Sequence, residues 1–276
     1  MPVPKLKTLA ILILLLANLA MALQVFPDRM AVKREEDALR ESLCSLYDRQ
    51  EIALDPETIP DTTNLYVLEL TENSDLQAAK ALLGEQLLAE DDSTRYVSAY
   101  RSALGQCSIS RSGTFSAQLT QSRPVRDPER DGRKLLKAMG FSYLPLPEVQ
   151  QRQDGVCTLT ATQTVLDMPV FSDGLTLTYT DSCLTDLEGV FFTGTNALSR
   201  VSSEGCISAA DALVAFLDSR YELGWVGSTV TALYQGYVHA ETAAAAVVRL
   251  APVWRLETDT GVFQIHGMTG EVTAVE

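Results

Sequence analysis

The sequence predicts an α+β protein: one N-terminal transmembrane helix, then repeated units of a helix followed by an antiparallel sheet, all held outside the membrane. Three observations predict it. Residues 9–26 read LAILILLLANLAMALQVF and carry no charge. Residues 156–165 and 175–180 alternate apolar and polar, mostly threonine, positions with period two, the pattern of half-buried strands. Helix-start signals at Ser74 and Ser208 each precede a run of strand-like segments with glycine at the turns.

The anchor comes first. A helix crosses the hydrocarbon core with roughly 20 apolar residues at ~1.5 Å each, and residues 8–27 supply them. Lys5 and Lys7 flank one end only, and the next charge is Asp28. Residues 1–7 are therefore expected in the cytoplasm and everything after Asp28 outside the cell membrane. The rival reading is a signal peptide cleaved at Ala20-Met21-Ala22, which would release a secreted protein. The apolar run continues through Leu23, Val25 and Phe26, beyond the ~7–15 residues of a signal core, and so favours the retained anchor. Within the anchor, Ala10, Leu14, Ala17 and Met21 form one stripe, with the polar Asn18 beside it. That face suits contact with another helix, where an interhelical polar bond contributes ~1 kcal/mol. A bond from Asn18 to its own helix is the plainer alternative.

Residues 28–61 read as a juxtamembrane helix and linker. Residues 28–49 lack Pro and Gly and carry Leu39, Leu43, Leu46 and Tyr47 at helical spacing. The linker runs through Asp55, Pro56 and Pro60. Residues 62–198 form a first extracytoplasmic region of two units, about 62–122 and 130–198. In the first unit, residues 65–70 read as a strand. Ser74 and Gln77 form a capping box for a helix to about residue 88. Strands follow at 95–101, 107–111 and 114–120, with turns at Gly105 and Gly113. A charged linker with Pro124 and Pro128 leads to a helix at 133–139, stopped by Gly140. Beyond it, Cys157, Leu159, Ala161 and Val165 face one way, and Thr158, Thr160, Thr162 and Thr164 the other. Residues 171–174 (Phe-Ser-Asp-Gly) supply the turn to a strand with Leu175, Leu177 and Tyr179 inward. A third strand at 186–193 follows a turn near Ser182. Residues 199–276 form a C-terminal domain. There Ser208 and Asp211 cap a helix with Ala212, Leu213, Phe216 and Leu217 on its apolar side. Strands follow at 230–238, 247–258, 262–266 and 272–275.

Composition limits the chemistry. Hydrophobic content of 46% supports a packed core, and a net charge of -14 repels phosphate backbones, so nucleic acid is not an expected ligand. The two histidines, His239 and His266, stand in no metal-ligand spacing, and His266 reads as an exposed strand residue. Neither a nucleophile elbow, a phosphate loop nor a dinucleotide fingerprint occurs. The expectation is a non-enzyme with no catalytic residue, metal or cofactor. Of the two tryptophans, Trp254 reads as core. Trp225, in a glycine-flanked loop, is a candidate contact residue, with core packing as the alternative. The five cysteines are Cys44, Cys107, Cys157, Cys183 and Cys206. Cys157 and Cys183 fall on expected neighbouring strands and could pair, but Cys157 fits better as a small buried hydrophobe.

Several stretches carry a resemblance. Residues 250–256 (Leu-Ala-Pro-Val-Trp-Arg-Leu), Asp259-Thr260-Gly261 and Gly270-Glu271-Val272 resemble the closing strand, hairpin and turn of YycI-type regulatory proteins. Gly236-Tyr237 matches the preceding strand. Residues 163–179, from Gln163 through Phe171 to Tyr179, are similar to the family's hairpin. Leu6-Lys7-Thr8 resembles the entry to its anchor, with Asn18 where that helix often carries Asn or Asp. The last unit also looks like a PepSY or cystatin-like module, and the repeated helix-plus-sheet plan shares that likeness. Residues 30–126 match poorly. The resemblance implies a single-pass membrane protein of Gram-positive bacteria that works with a YycH-like companion. Its partner would be a sensor histidine kinase of the WalK (YycG) two-component system, which governs cell-wall homeostasis. Regulation would be by contact, through the anchor and the outer domain. A PepSY-like binding or inhibitory module without a kinase remains the alternative, and a secreted protein released after Ala22 the second.

Overall fold

The computed structural model describes residues 36–70, 76–92, 97–120, 124–144, 148–151, 155–192, 198–240 and 247–275. The expected anchor at 8–27, with Ala10, Leu14, Ala17, Asn18 and Met21, lies outside these residues, as do Ser74 and Asp75 of the first capping box. Among the described residues, no helix is long and apolar enough to cross a membrane.

The described residues open with helix α1 (36–48), strand β1 (Ala53–Leu54) and a 3-10 turn (Pro56–Thr58). Then come β2 (Leu68–Leu70), α2 (Leu76–Leu83), β3 (Leu88–Asp92), β4 (Val97–Ser102), β5 (Gly105–Ser110) and β6 (Thr114–Leu119). Helix α3 (Pro128–Met139) leads to β7 (Glu148–Gln151), β8 (Val156–Val165), β9 (Met168–Thr180), β10 (Cys183–Val190) and β11 (Leu198–Arg200). Helix α4 (Ala209–Ser219) leads to β12 (Thr229–Ala240), β13 (Val248–Thr258), β14 (Val262–His266) and β15 (Val272–Val275).

All fifteen of these strands join one mixed sheet, whose main path runs β11-β2-β13-β12-β9-β10-β6-β5-β4-β3. This overturns the expected series of separate helix-plus-antiparallel-sheet units. Strand β2, early in the chain, pairs with β13, near its end, over Leu68↔Leu250 to Leu70↔Val248. Two pairings are parallel: β1 with β12, and β12 with β9 at Tyr237↔Val170. The physical reason is that period-two patterning reports which face of a strand is buried, not which strand lies beside it.

Strand β9 joins two lobes. Its first residues lie beside β12, and its last residues run between β8 and β10. In the N-terminal lobe, α2 and α3 cover the sheet over a core that includes Leu82, Phe115, Leu136, Leu159, Leu177 and Phe191. In the C-terminal lobe, α1 and α4 share a core with β12 to β14 through Tyr47, Leu213, Phe216, Trp254 and Ile265. A third cluster, with Leu68, Val170, Phe192, Tyr237 and Leu250, fills the junction.

Local chemistry explains several boundaries. Helix α3 begins at Pro128, inside the stretch read as a linker. Asp127 caps it by accepting from the Arg130 amide at 3.0 Å, and proline is favoured at the first helical position, where its missing N–H costs nothing. Its end is the one expected: Gly140 has φ 82° and donates to the Leu136 and Lys137 carbonyls. Helix α2 stops at Leu83 rather than 88, and Leu88 begins β3. Ser208 and Asp211 form the capping box of α4. The turn between β8 and β9 is Leu166-Asp167, both at positive φ (51° and 63°), and residues 171–174 lie within β9 instead. Cys157 and Cys183 sit on β8 and β10, which flank β9 on opposite sides. Two interstrand steps of ~4.8 Å exceed the ~7 Å Cα separation that a disulfide spans, and none of the five cysteines is in a disulfide.

Candidate functional site

An open cleft of about 590 Å³ lies where the two lobes meet. Strand β12 supplies Leu233, Tyr234 and Gln235, and β13 supplies Arg255 and Glu257. The β8–β9 hairpin contributes Thr162, Met168, Pro169 and Phe171, and Leu144 comes from the segment after α3. Pro60, Asp61 and Thr63 form a strap along one wall. The hairpin reaches β12 because residue 236 is glycine: a Cβ there would stand 2.5 Å from the Pro169 carbonyl oxygen and 2.6 Å from the Phe171 ring.

Two buried glutamines act as clamps, Gln235 in the cleft wall and Gln163 in the junction between the lobes. Gln235 donates from Nε2 to the Thr63 carbonyl at 2.7 Å and accepts from the Thr63 amide at 2.9 Å, which pins the strap to β12. Gln163 treats Phe192 the same way, donating to its carbonyl at 2.6 Å and accepting from its amide at 2.9 Å. Each side-chain amide takes the place of a strand neighbour. The signal for Gln163 was available: it is a polar residue in the inward phase that Leu159, Ala161 and Val165 define.

The strap also touches α1. Arg40 of α1 donates to Asp61 at 2.5 Å, and Pro60 and Asp61 line a second groove of about 300 Å³ with Leu39, Arg40 and Leu43. One layer of chain thus separates the cleft from α1. That helix is fixed in the C-terminal lobe: Tyr47 is fully buried and its hydroxyl donates to the Leu213 carbonyl at 2.7 Å. Arg220 donates to the Gln50 side chain at 2.6 Å, and the Ala53 amide donates to the Ser228 carbonyl at 2.8 Å.

Arg255 is the basic residue among those lining the cleft. Its guanidinium lies 5.5 Å from the centre of the Phe171 ring, with Tyr234 opposite it across the strand pair. Its Nε is buried without a hydrogen-bond partner, and Glu257 is 3.7 Å away. Below the cleft, burial pushes the Cys206 thiol up, partly offset by the side chains of Gln235 and Trp254. Burial likewise pushes the Tyr237 phenol up to about 12. Both groups therefore hold their protons near neutral pH. Among the described residues, no group of three or more His, Cys, Asp or Glu could hold a metal ion. The arrangement of apolar walls, one cation and rim carboxylates is suited to binding.

Trp225, read as a contact residue, is buried. Its ring packs edge-on against Phe216 at 5.1 Å and its Nε1 donates to Thr258 Oγ1 at 3.1 Å. Trp254 is fully buried and donates to the Ile207 carbonyl at 3.0 Å. His266 is half-buried and its Nδ1 receives the Met268 and Thr269 amides, each at 3.3 Å, so it caps the turn to β15. His239 stands edge-on to Phe192 at 5.6 Å. Sequence reasoning did not find Arg255, Phe171 or Gln235 as neighbours, because they come together only through the β9–β12 and β12–β13 pairings.

No family model matches the chain, and no curated protein matches it. Among solved structures, it is similar to the Bacillus megaterium YpeB C-terminal domain, at 12% identity, over 75% of this chain and 99% of that one, with a TM-score of 0.38. No YycI-type identity, companion or kinase follows from that likeness. The resemblance to YycI-type regulators rests on the sequence stretches quoted above.

Proposed function

We propose that the protein is a membrane-anchored regulator that acts by contact outside the membrane, with a sensor histidine kinase and a YycH-like companion as its partners. The partner class comes from the resemblance to YycI-type proteins. The observation that carries the reading is the placement of α1. This helix follows the expected anchor and is part of the C-terminal core, through Leu43 and Tyr47. From residue 36 onward the chain is built into the C-terminal lobe, so a load on that lobe reaches α1 directly. Such a coupling lets binding outside favour one arrangement of membrane helices over another, provided the partner contacts differ between the two. Asn18 and the stripe of Ala10, Leu14, Ala17 and Met21 are the proposed membrane contact.

The test is crosslinking of the full chain in membranes, with a photoreactive residue at Asn18 and, separately, at Tyr234. Recovery of a sensor kinase or a YycH-like protein is expected. Recovery of neither sinks the kinase reading and favours the second one, an extracytoplasmic binding module, for which the cleft is the supporting observation. Mass spectrometry of the mature N-terminus checks the anchor: a chain beginning at Leu23 overturns it.

A further inference from the structure

We propose that the cleft between the lobes receives the C-terminal end of an extended peptide, with its apolar side chains on the floor and its free carboxylate on Arg255. The inference rests on the contact reading above and names the chemistry of what is bound there.

Size sets the first limit. A cleft of about 590 Å³ lies within the ~300–1,000 Å³ range of small-ligand sites. A helix with its side chains is ~10–12 Å across, so an extended segment of two or three residues is the better fit. Met168, Pro169, Leu144 and Leu233 give that segment apolar surface, and Leu144 is 39% exposed.

Arg255 sets the second. Other arginines of the fold have committed partners. Arg249 is paired with Glu69, Arg40 with Asp61, and Arg133 with Glu129. Arg220 donates to Gln50, and Arg200 to the Ser202 and Ser203 carbonyls. Arg255 has Glu257 at 3.7 Å, beyond hydrogen-bond distance. What positions its guanidinium is the Phe171 ring, a cation–π contact. A planar cation held by packing, paired with Glu257 only at 3.7 Å through its buried Nε and with a third of its side chain exposed, matches a carboxylate through its terminal nitrogens.

The rim decides between a peptide and a simple fatty acid. Asp61, Glu257 and Thr162 surround the apolar floor. These oxygens are acceptors, useful to the amide N–H groups of a peptide and unfavourable to an aliphatic chain. Tyr234, 48% exposed beside Arg255, adds an amphipathic wall.

The experiment titrates the purified full chain with N-acetyl-Leu-Phe, the same dipeptide as its C-terminal amide, and decanoate. The free acid is expected to bind at least roughly tenfold more tightly than the amide, since only the acid forms the charge-assisted pair. Arg255→Met, which removes the guanidinium and keeps an apolar side chain of similar reach, should abolish that preference by bringing the free acid down to the affinity of the amide. Equal binding of acid and amide, or binding of neither, overturns the proposal. Binding of decanoate in preference to the dipeptide overturns the peptide assignment. The acid–amide contrast is read on the unmutated chain, so it stands even if Arg255→Met fails to fold. Its failure leaves the crosslinking result at Asn18 untouched, so the two readings fail separately.

Discussion

Gln163 shows how much one side chain can decide. Its amide satisfies both the N–H and the C=O of Phe192, deep in the junction between the lobes. A buried backbone group without a partner costs about 1–3 kcal/mol. Gln163→Met keeps the volume and removes both bonds, so unfolding in urea should show a loss of about 2–4 kcal/mol. A change under ~1 kcal/mol would mean that water or a neighbour replaces the amide. Gln235 makes the same pair of bonds to Thr63, but Thr63 is exposed. Gln235→Met should therefore release the strap at smaller cost, visible as faster hydrogen exchange at residue 63. Neither clamp follows from composition or motif. Each is an inward-phase glutamine whose partner lies 29 or 172 positions away in the chain.

At the scale of elements, turns and close approaches govern the cleft. Leu166 and Asp167 both adopt positive φ, which costs an ordinary residue about 1–2 kcal/mol. Leu166 is 62% exposed, so its side chain adds little packing. Replacing the pair with Asn-Gly, the favoured residues of a type I′ turn, should raise stability by about 1–2 kcal/mol in chemical unfolding. Gly236→Ala should do the reverse. Its Cβ would meet a backbone oxygen at 2.5 Å, and overpacking of this kind costs about 1–3 kcal/mol. Hydrogen exchange should speed up at the start of β9 and in β12 and stay unchanged in β5 and β6. Uniform acceleration would contradict the view that β9 joins two separately packed lobes. Elements with local signals were legible. The capping box of α4, the Gly140 stop of α3 and the two short strands β14 and β15 rest on residues within a few positions of each other. The start of α3 and the β8–β9 turn were not, because Pro128 serves equally in a linker or at a helix start, and Leu-Asp is not a usual hairpin pair.

The whole molecule carries a pH dependence on its alkaline side. Burial pushes up the phenols of Tyr47 and Tyr179, with Asp131 adding to the effect at Tyr179, and takes Tyr237 to about 12. Each phenol holds its proton more tightly in the fold than in the open chain, where the value is about 10. Their contribution to stability is therefore fully present below about pH 10 and is lost as pH rises through the folded values. Unfolding followed from pH 8 upward, with tyrosinate absorbance as a second signal, should show a first loss from the raised Cys206 thiol above about 8.5 and the phenol part only above about 10. A tyrosine titration complete near 10 with the fold intact would exclude this account.

The amino-acid sequence by itself determined the uncharged N-terminal run, the acidic balance, the period-two strands and the helix caps. All of these depend on neighbours along the chain or on residue type alone. Only the tertiary structure decided that the strands form one mixed sheet, that β9 serves two lobes, that α1 belongs to the C-terminal core and that Arg255 faces an apolar cleft. Alternation says which face of a strand is buried and leaves its edges unassigned. Backbone edges pair with whatever strand the whole chain brings alongside, so the sheet order, and the cleft built on it, is a property of long-range pairing.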